Sequence, residues 1–398
     1  MTEFSINISQ MAWPCVLALA WLLGDILNRV LHLPRISVYA VTGFVLVNLL
    51  PDYLSPLDNH SLVLLANIAF GLMLFEFAYR INLRWLSLNP WVAVTGLLEA
   101  GATFTAVYCV ALWYGSTQLM SLSLAALAMS SSPAAVLRVI NEQRSSGQVS
   151  ERILHLTAIN SVLAVFAFKL ILVYGVMQAP GDILKASAQS LQVMLVACAS
   201  VLAGTVFGIL LPTILRWRGR QAQDSTLGFA FAVIVLVALT HATGLSPILA
   251  TLSFGLVARH RRISLGRTQR NFGVLGELLA VVLFVFAAST LAFSQVLAGV
   301  MLGGLLLVMR LGSKIIVTTL LAPVSGISMR KGMLSGLGLA PVSVFLILNL
   351  EQPNKLGMAM TNEWYALVAM TLILEIAGPI LTHLALFAAK ETPEEMEQ

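Results

Sequence analysis

The sequence predicts an all-α polytopic membrane protein of about thirteen transmembrane helices arranged as two inverted repeats of six. Three observations predict it: a solvent-avoiding composition, basic residues that alternate from side to side along the chain, and two interrupted helices at matching positions. Of 398 residues, 58% are hydrophobic and 10% are charged, and the mean hydropathy is +0.89. A soluble domain carries about 25% charged residues. So few charges cannot cover a water-facing surface, so lipid must be the main solvent. Cys15, Cys109 and Cys198 lie singly in apolar runs, with neither metal-ligand nor disulfide spacing, and read as small buried hydrophobes. The first apolar run continues past Ala18-Leu19-Ala20 and has no basic flank before it, so it reads as a retained helix rather than a cleaved signal.

Apolar runs of spanning length, about 20 residues, place helices near 11–31, 36–51, 61–80, 91–113, 118–141, 150–177, 187–214, 225–242, 244–258, 270–292, 295–321, 329–350 and 362–388. The second and ninth are short. Lys and Arg favour the cytoplasmic side. With the N-terminus outside, 18 of the 23 basic residues fall on inner loops, among them Arg29, Arg35, Arg84, Arg144, Arg218, Arg262 and Lys331. The alternation sets the count and puts the C-terminal tail, 391–398, in the cytoplasm. It also explains the sequence pI of about 9.3 without nucleic acid.

The fifth span contains Ser130-Ser131-Ser132-Pro133, and the twelfth contains Gly336-Leu337-Gly338-Leu339-Ala340-Pro341-Val342-Ser343. Proline removes a backbone donor and clashes with the preceding turn. In lipid the freed groups need protein partners or a wet cavity. The two breaks are seven spans apart, an odd offset that places equivalent helices in opposite orientation. Repeat one therefore covers about 11–177, a connector helix 187–214, and repeat two about 225–388. The short second and ninth spans, glycine-bearing at Gly43 and Gly255, correspond under the same offset. Paired interrupted helices in two halves point to a midplane substrate site.

A charge at the bilayer centre costs about 2.5–3.5 kcal/mol on insertion scales, so such groups should pair or face water. Glu375, Arg310 and Lys314 lie deepest and are the foremost functional candidates. Glu76 has Arg80 one turn away as a local partner. Glu277 and Lys169 lie nearer span ends, and His155 reads as a satisfied interfacial histidine. Glu99 lies near mid-helix with no local partner, its role open.

These stretches resemble, in order and along nearly the whole chain, the monovalent cation:proton antiporters, particularly their second bacterial subfamily. The similar segments are LPRISVYAVTGFVLVNLLP, GLMLFEFAYRINL, ALAMSSSPAAVLRVI, GLSPILATLSFGLVARH, RLGSK and RKGMLSGLGLAPVSVFLIL. The resemblance implies one exchanger-like domain over 1–390, a core holding the crossed broken helices, a separate dimerisation region, and elevator-like alternating access. It further implies a homodimer in a bacterial inner membrane, with a monovalent cation and the proton as partners and no cofactor.

One departure bears on the chemistry. The family carries Asp-Asp or Asn-Asp in the sixth span, where this chain has Asn160-Ser161. A helix-twelve glutamate often found in the family is absent too. The core offers Ser130, Ser131, Ser132, Asn160, Ser161 and Ser343 instead, beside Arg310 and Lys314. Three readings stay open: an exchanger whose carboxylate comes from elsewhere, with Glu375 and Glu76 as candidates; a transporter of the same fold for an anion or polar organic solute; and a non-transporting membrane sensor or partner. No nucleophile–base motif or His-rich metal set suggests an enzyme.

Overall fold

The computed structural model describes residues 8–54, 60–178, 183–217, 222–261, 273–343 and 362–392, and they are helical throughout apart from short connections. The first half runs α1 (Ile8–Leu31), α2 (Arg35–Leu49), α3 (His60–Arg80), α4 (Leu83–Leu88), α5 (Pro90–Trp113), α6 (Gln118–Ala128), α7 (Pro133–Glu142) and α8 (Gln148–Gln178). After the connector α9 (Ile183–Trp217) come α10 (Ala222–Thr243), α11 (Pro247–His260), α12 (Gly273–Ser289), α13 (Phe293–Leu320), α14 (Met329–Gly338) and α15 (Asn362–Ala388). Among the described residues a helix stands at each of the thirteen expected positions, the fifth as α6 and α7 and the twelfth as α14 with the non-helical stretch 339–343. The expected continuation of the twelfth span over 344–350 lies outside the described residues.

One element is additional. The surface helix α4 starts where the Asn82 side chain accepts from the Trp85 amide at 3.2 Å and stops at Asn89, ahead of Pro90. An Asn cap satisfies one of the first turn's free donors. Six residues are too few to register as an apolar period, which is why this stretch reads as a loop in sequence. The three cysteines correct another expectation. All are exposed, on outward faces of α1, α5 and α9, where a small apolar thiol suits lipid.

Nine helices among the described residues are long and apolar enough to cross a membrane. The short ones have their own logic. α2 has 15 residues and α11 has 14, about 21–23 Å at 1.5 Å per residue, less than the roughly 30 Å hydrocarbon core. Both are packed into the protein interior through a glycine. A Cβ on Gly43 would meet the Val285 carbonyl of α12 at 2.5 Å, and one on Gly255 would meet the Phe75 carbonyl of α3 at 2.7 Å. Small residues let helix backbones approach closely where lipid supplies no hydrophobic drive between helices.

That pair of contacts is the inverted repeat in miniature. α2 packs on α12 as α11 packs on α3, with the two glycines and their two backbone partners in equivalent places. α3 and α12 are buried nearly all round and form the centre of one bundle with α1, α2, α10 and α11. The second bundle holds α5, α6, α7, α8, α13, α14 and α15, with α5 against α13 across the pseudo-axis. There Gly299 and Gly303 of α13 face the backbone of α15, where a Cβ on Gly299 would overlap the Tyr365 carbonyl. α1 and α9 leave most of their surface outward, an apolar shell suited to lipid.

Ends that the loop charges assign to one side are joined there. Arg35 at the start of α2 bonds Asp25 at 3.1 Å and Glu277 at 2.8 Å, and lies 3.8 Å from Glu142. Glu391, just past α15, turns its carboxylate onto the start of α8. It accepts from the amides of Val149 and Ser150 and from the Ser150 hydroxyl, each at 2.8 Å. This arrangement satisfies donors at a helix N-terminus and complements its dipole.

Candidate functional site

The site is built where the two interrupted spans meet. α6 ends at Ala128 and α7 starts at Pro133. Between them the Ser132 side chain caps α7 by accepting from the Ala135 amide at 3.3 Å. Proline at the first helical position needs no donor partner there. On the other side α14 ends at Gly338, and Pro341 blocks its continuation. The two breaks touch. The Ser132 amide donates to the Pro341 carbonyl at 3.0 Å, and the Ser131 hydroxyl donates to the Leu339 carbonyl at 3.1 Å.

Two helix C-termini therefore point their unpaired carbonyls into one place, with the negative ends of two dipoles. Arg310 of α13, 0% exposed, answers both. Its Nε donates to Ala128 O at 2.8 Å, Nη1 to Ala340 O at 2.7 Å, and Nη2 to Ser130 O at 2.8 Å. Nη2 also lies 3.2 Å from both Leu339 O and Pro341 O. The guanidinium has a fixed fork of donors, and here every nitrogen is committed to carbonyls. Arg310 clamps the crossing by tying both breaks to one side chain.

One turn on, Lys314, also 0% exposed, donates to Met129 O at 3.1 Å and to Glu99 Oε1 at 2.6 Å. Glu99 comes from α5 and is fully buried. Its second oxygen, Oε2, accepts from Asn160 Nδ2 of α8 at 2.5 Å. Thr103 donates to Oε1 at 3.1 Å and lies 3.0 Å from the Ser313 hydroxyl. A buried carboxylate thus stands directly beside the Asn160–Ser161 pair. Sequence could supply Glu99's depth but not its partners, because they come from α8 and α13, far apart in the chain.

The hydroxyls are less available than their number suggested. Ser161 donates to Thr157 O at 2.8 Å and Ser131 O at 3.0 Å. Ser130 donates to Leu127 O at 2.9 Å. Ser343 is buried just beyond the second break. Two buried oxygens on one face of α8, Asn160 Oδ1 and Thr157 Oγ1, have no hydrogen-bond partner among the described residues.

Two sequence candidates stand apart from this cluster. Glu76 of α3 accepts from Asn141 Nδ2 at 2.9 Å, and lies 3.5 Å from Arg138 and 3.8 Å from Arg80. It ties α3 to α7, together with the local partner expected for it. Glu375 of α15 is buried and bonds none of these groups. His155 is satisfied as expected, with Nδ1 2.7 Å from Glu151 O and Nε2 against the Asn82 backbone.

An all-helical inverted repeat around two crossed half-helices, with a buried ion pair at the crossing, defines the class of secondary-transporter folds. The chain belongs to the sodium/hydrogen exchanger transmembrane family, whose model matches residues 16–387. Its fold is similar to that of the sodium proton antiporter MjNhaP1 from Methanocaldococcus jannaschii at pH 8, with a TM-score of 0.66 and 15% identity over 95% of this chain and 96% of that one. A second structure of that antiporter, from an electron-microscopy map, matches at a TM-score of 0.63 with 16% identity over 96% of this chain and 95% of that one. No curated protein matches this chain.

Proposed function

We propose that the protein is a monovalent cation:proton antiporter working by alternating access, with Glu99 supplying the exchanging carboxylate in place of the aspartate that family resemblance would put at Ser161. The observation that carries this reading is the buried Glu99 carboxylate, 2.5 Å from Asn160 and 2.6 Å from Lys314. Oxygen ligands replace the hydration shell of a bare alkali cation, and here the carboxylate adjoins Asn160, whose Oδ1 is unpartnered, as is Thr157 Oγ1 one turn earlier on α8.

The mechanism follows from competition for Glu99. With no cation bound, Lys314 neutralises the carboxylate. An arriving Na⁺ or K⁺ takes over that role with Asn160 Oδ1 and Thr157 Oγ1 as further ligands, and the ammonium, losing its counter-charge, passes a proton to water on the open side and keeps the electron pair as a neutral amine. Two charges of the same sign cannot share so small a low-dielectric space cheaply, which couples cation binding to proton release. The bundle of α5–α8 and α13–α15 would then carry the site across, against the bundle of α1–α3 and α10–α12, in a homodimer of a bacterial inner membrane with its N-terminus outside. Residues 1–390 act as one domain in this account.

Arg310 and Lys314 disfavour the anion reading, because each Arg310 nitrogen already donates to a carbonyl and Lys314 already pairs with Glu99. A non-transporting role leaves Asn160 Oδ1 and Thr157 Oγ1 unexplained. The test is cation-driven proton movement in proteoliposomes carrying wild-type protein or Glu99→Gln. Wild type should exchange and the variant should not.

A further inference from the structure

α15 carries polar side chains that the Glu99 site does not use. At about 100° per residue, Trp364, Thr371, Glu375, Gly378 and Thr382 share one face of this helix. The C-terminal half of that face is fully engaged. A Cβ on Gly378 would meet Pro341 Cα at 2.6 Å, and Thr382 donates to the Gly338 carbonyl at 3.1 Å. The other half is not. Trp364 Nε1, Thr371 Oγ1 and both carboxylate oxygens of Glu375 are buried with no hydrogen-bond partner among the described residues, and Glu375 is 2% exposed.

Among the described residues, the charged groups on α13, α7, α2 and α14, which pack against α15, are engaged elsewhere. On α13, Arg310 serves the half-helix carbonyls and Lys314 serves Glu99. On α7, Arg138 meets Glu76, and Glu142 accepts from Asn28 at 2.8 Å. Arg35 of α2 is held by Asp25 and Glu277. On α14, Arg330 donates to the Ala388 carbonyl and Lys331 to Gln148.

A carboxylate cannot stay ionised in such a place without a cation or hydrogen bonds, and neutralises instead. Orphaned polar atoms aligned on one helix face call for water. We propose that Glu375 is a proton-binding site separate from the Glu99 site, reached through a hydrated file along Thr371 and Trp364, about 16 Å of helix at 1.5 Å per residue. The step is a simple ionisation: the carboxylic O–H breaks, its proton passes to water in the file, and the electron pair stays on the carboxylate. The use of such a site in antiport rests on the reading above, but the protonation does not.

The test is infrared difference spectroscopy of the full-length protein between acidic and alkaline buffer, on wild type, Glu375→Gln, Glu99→Gln and Thr371→Val. A C=O band of a protonated carboxyl should disappear on the alkaline side in wild type and Glu99→Gln, and be missing from Glu375→Gln. In Thr371→Val, which keeps the acid, the band should persist to more alkaline pH, because a hydroxyl one turn from the carboxylate no longer helps hold water around the charged form. Spectra of Glu375→Gln identical to wild type, or a band in Thr371→Val with an unmoved midpoint, would overturn the proposal. Loss of the band only in Glu375→Gln, in a wild-type protein that moves no cations, would uphold the proton site while defeating the antiport reading. Intact antiport with no such band would do the reverse.

Discussion

Asn160 Nδ2 of α8 donates to Glu99 Oε2 of α5 at 2.5 Å, joining an amide in the sixth predicted span to a carboxylate in the fourth. Lys314 holds the other oxygen of the same carboxylate at 2.6 Å. One buried acid therefore links α5, α8 and α13 at the place where the two interrupted spans cross.

Removing one partner of this pair should be costly. Breaking a buried ion pair from one side costs about 3–5 kcal/mol, whereas replacing both partners with apolar residues of similar size is often neutral or stabilising. Lys314→Met should lower the thermal midpoint sharply. The double variant Glu99→Leu/Lys314→Met should recover much of the stability and none of the exchange. A double variant as unstable as the single one would mean that the pair is not the stabilising contact assigned here.

Arg310 should tolerate no substitution, even by another cation. Lysine has a point charge rather than a planar fork, so Arg310→Lys would leave carbonyls of both breaks without donors. Each unsatisfied buried group costs about 1–3 kcal/mol. The expected outcome is poor recovery of folded protein from membranes and loss of exchange together; wild-type recovery with wild-type flux would contradict the clamp.

Ser161 should matter little as a hydroxyl. It donates to the carbonyls of Thr157 and Ser131, and Ser161→Ala should cost about 1 kcal/mol while flux survives. Ser161→Asp is more informative. Both neighbours of that position are acceptors, so an ionised aspartate would face carbonyl oxygens and fit only when protonated. The variant should be less stable in alkaline than in acidic buffer, as read by melting midpoints at the two pH values.

Glu391 provides a control outside the site. Its carboxylate satisfies two amides and a hydroxyl at the start of α8. Glu391→Ala should cost about 1–2 kcal/mol, as for loss of a helix cap, with cation dependence unchanged. A changed cation affinity would show that this cap also governs the site.

Most of the architecture was legible in the sequence because lipid forces it. A membrane helix must be apolar, of nearly fixed length, and flanked by basic residues inside, and each of these leaves a one-dimensional trace. The breaks were legible because Pro133 and Pro341 each remove a donor. α4 left no trace, because its identity rests on two Asn caps around six residues. The site was only half legible. Arg310 and Lys314 announced themselves as charges in lipid, but their roles depend on what faces them, and no local pattern says that Glu99 does. Ser130, Ser131, Ser132 and Ser161 stand out in sequence because hydroxyls in apolar helices are conspicuous. Their hydrogen bonds go to their own and neighbouring backbone, a common use of serine in helices. The cysteines were misjudged because apolar surroundings in sequence do not distinguish protein interior from lipid.

The most direct test of the account is the cation-driven collapse of a proton gradient in proteoliposomes, followed with a pH-sensitive dye, for wild type and Glu99→Gln side by side. Adding Na⁺ or K⁺ should produce rapid proton movement in wild type and none above the protein-free background in Glu99→Gln, with the variant still folded and inserted. Exchange in Glu99→Gln at the wild-type rate would contradict it.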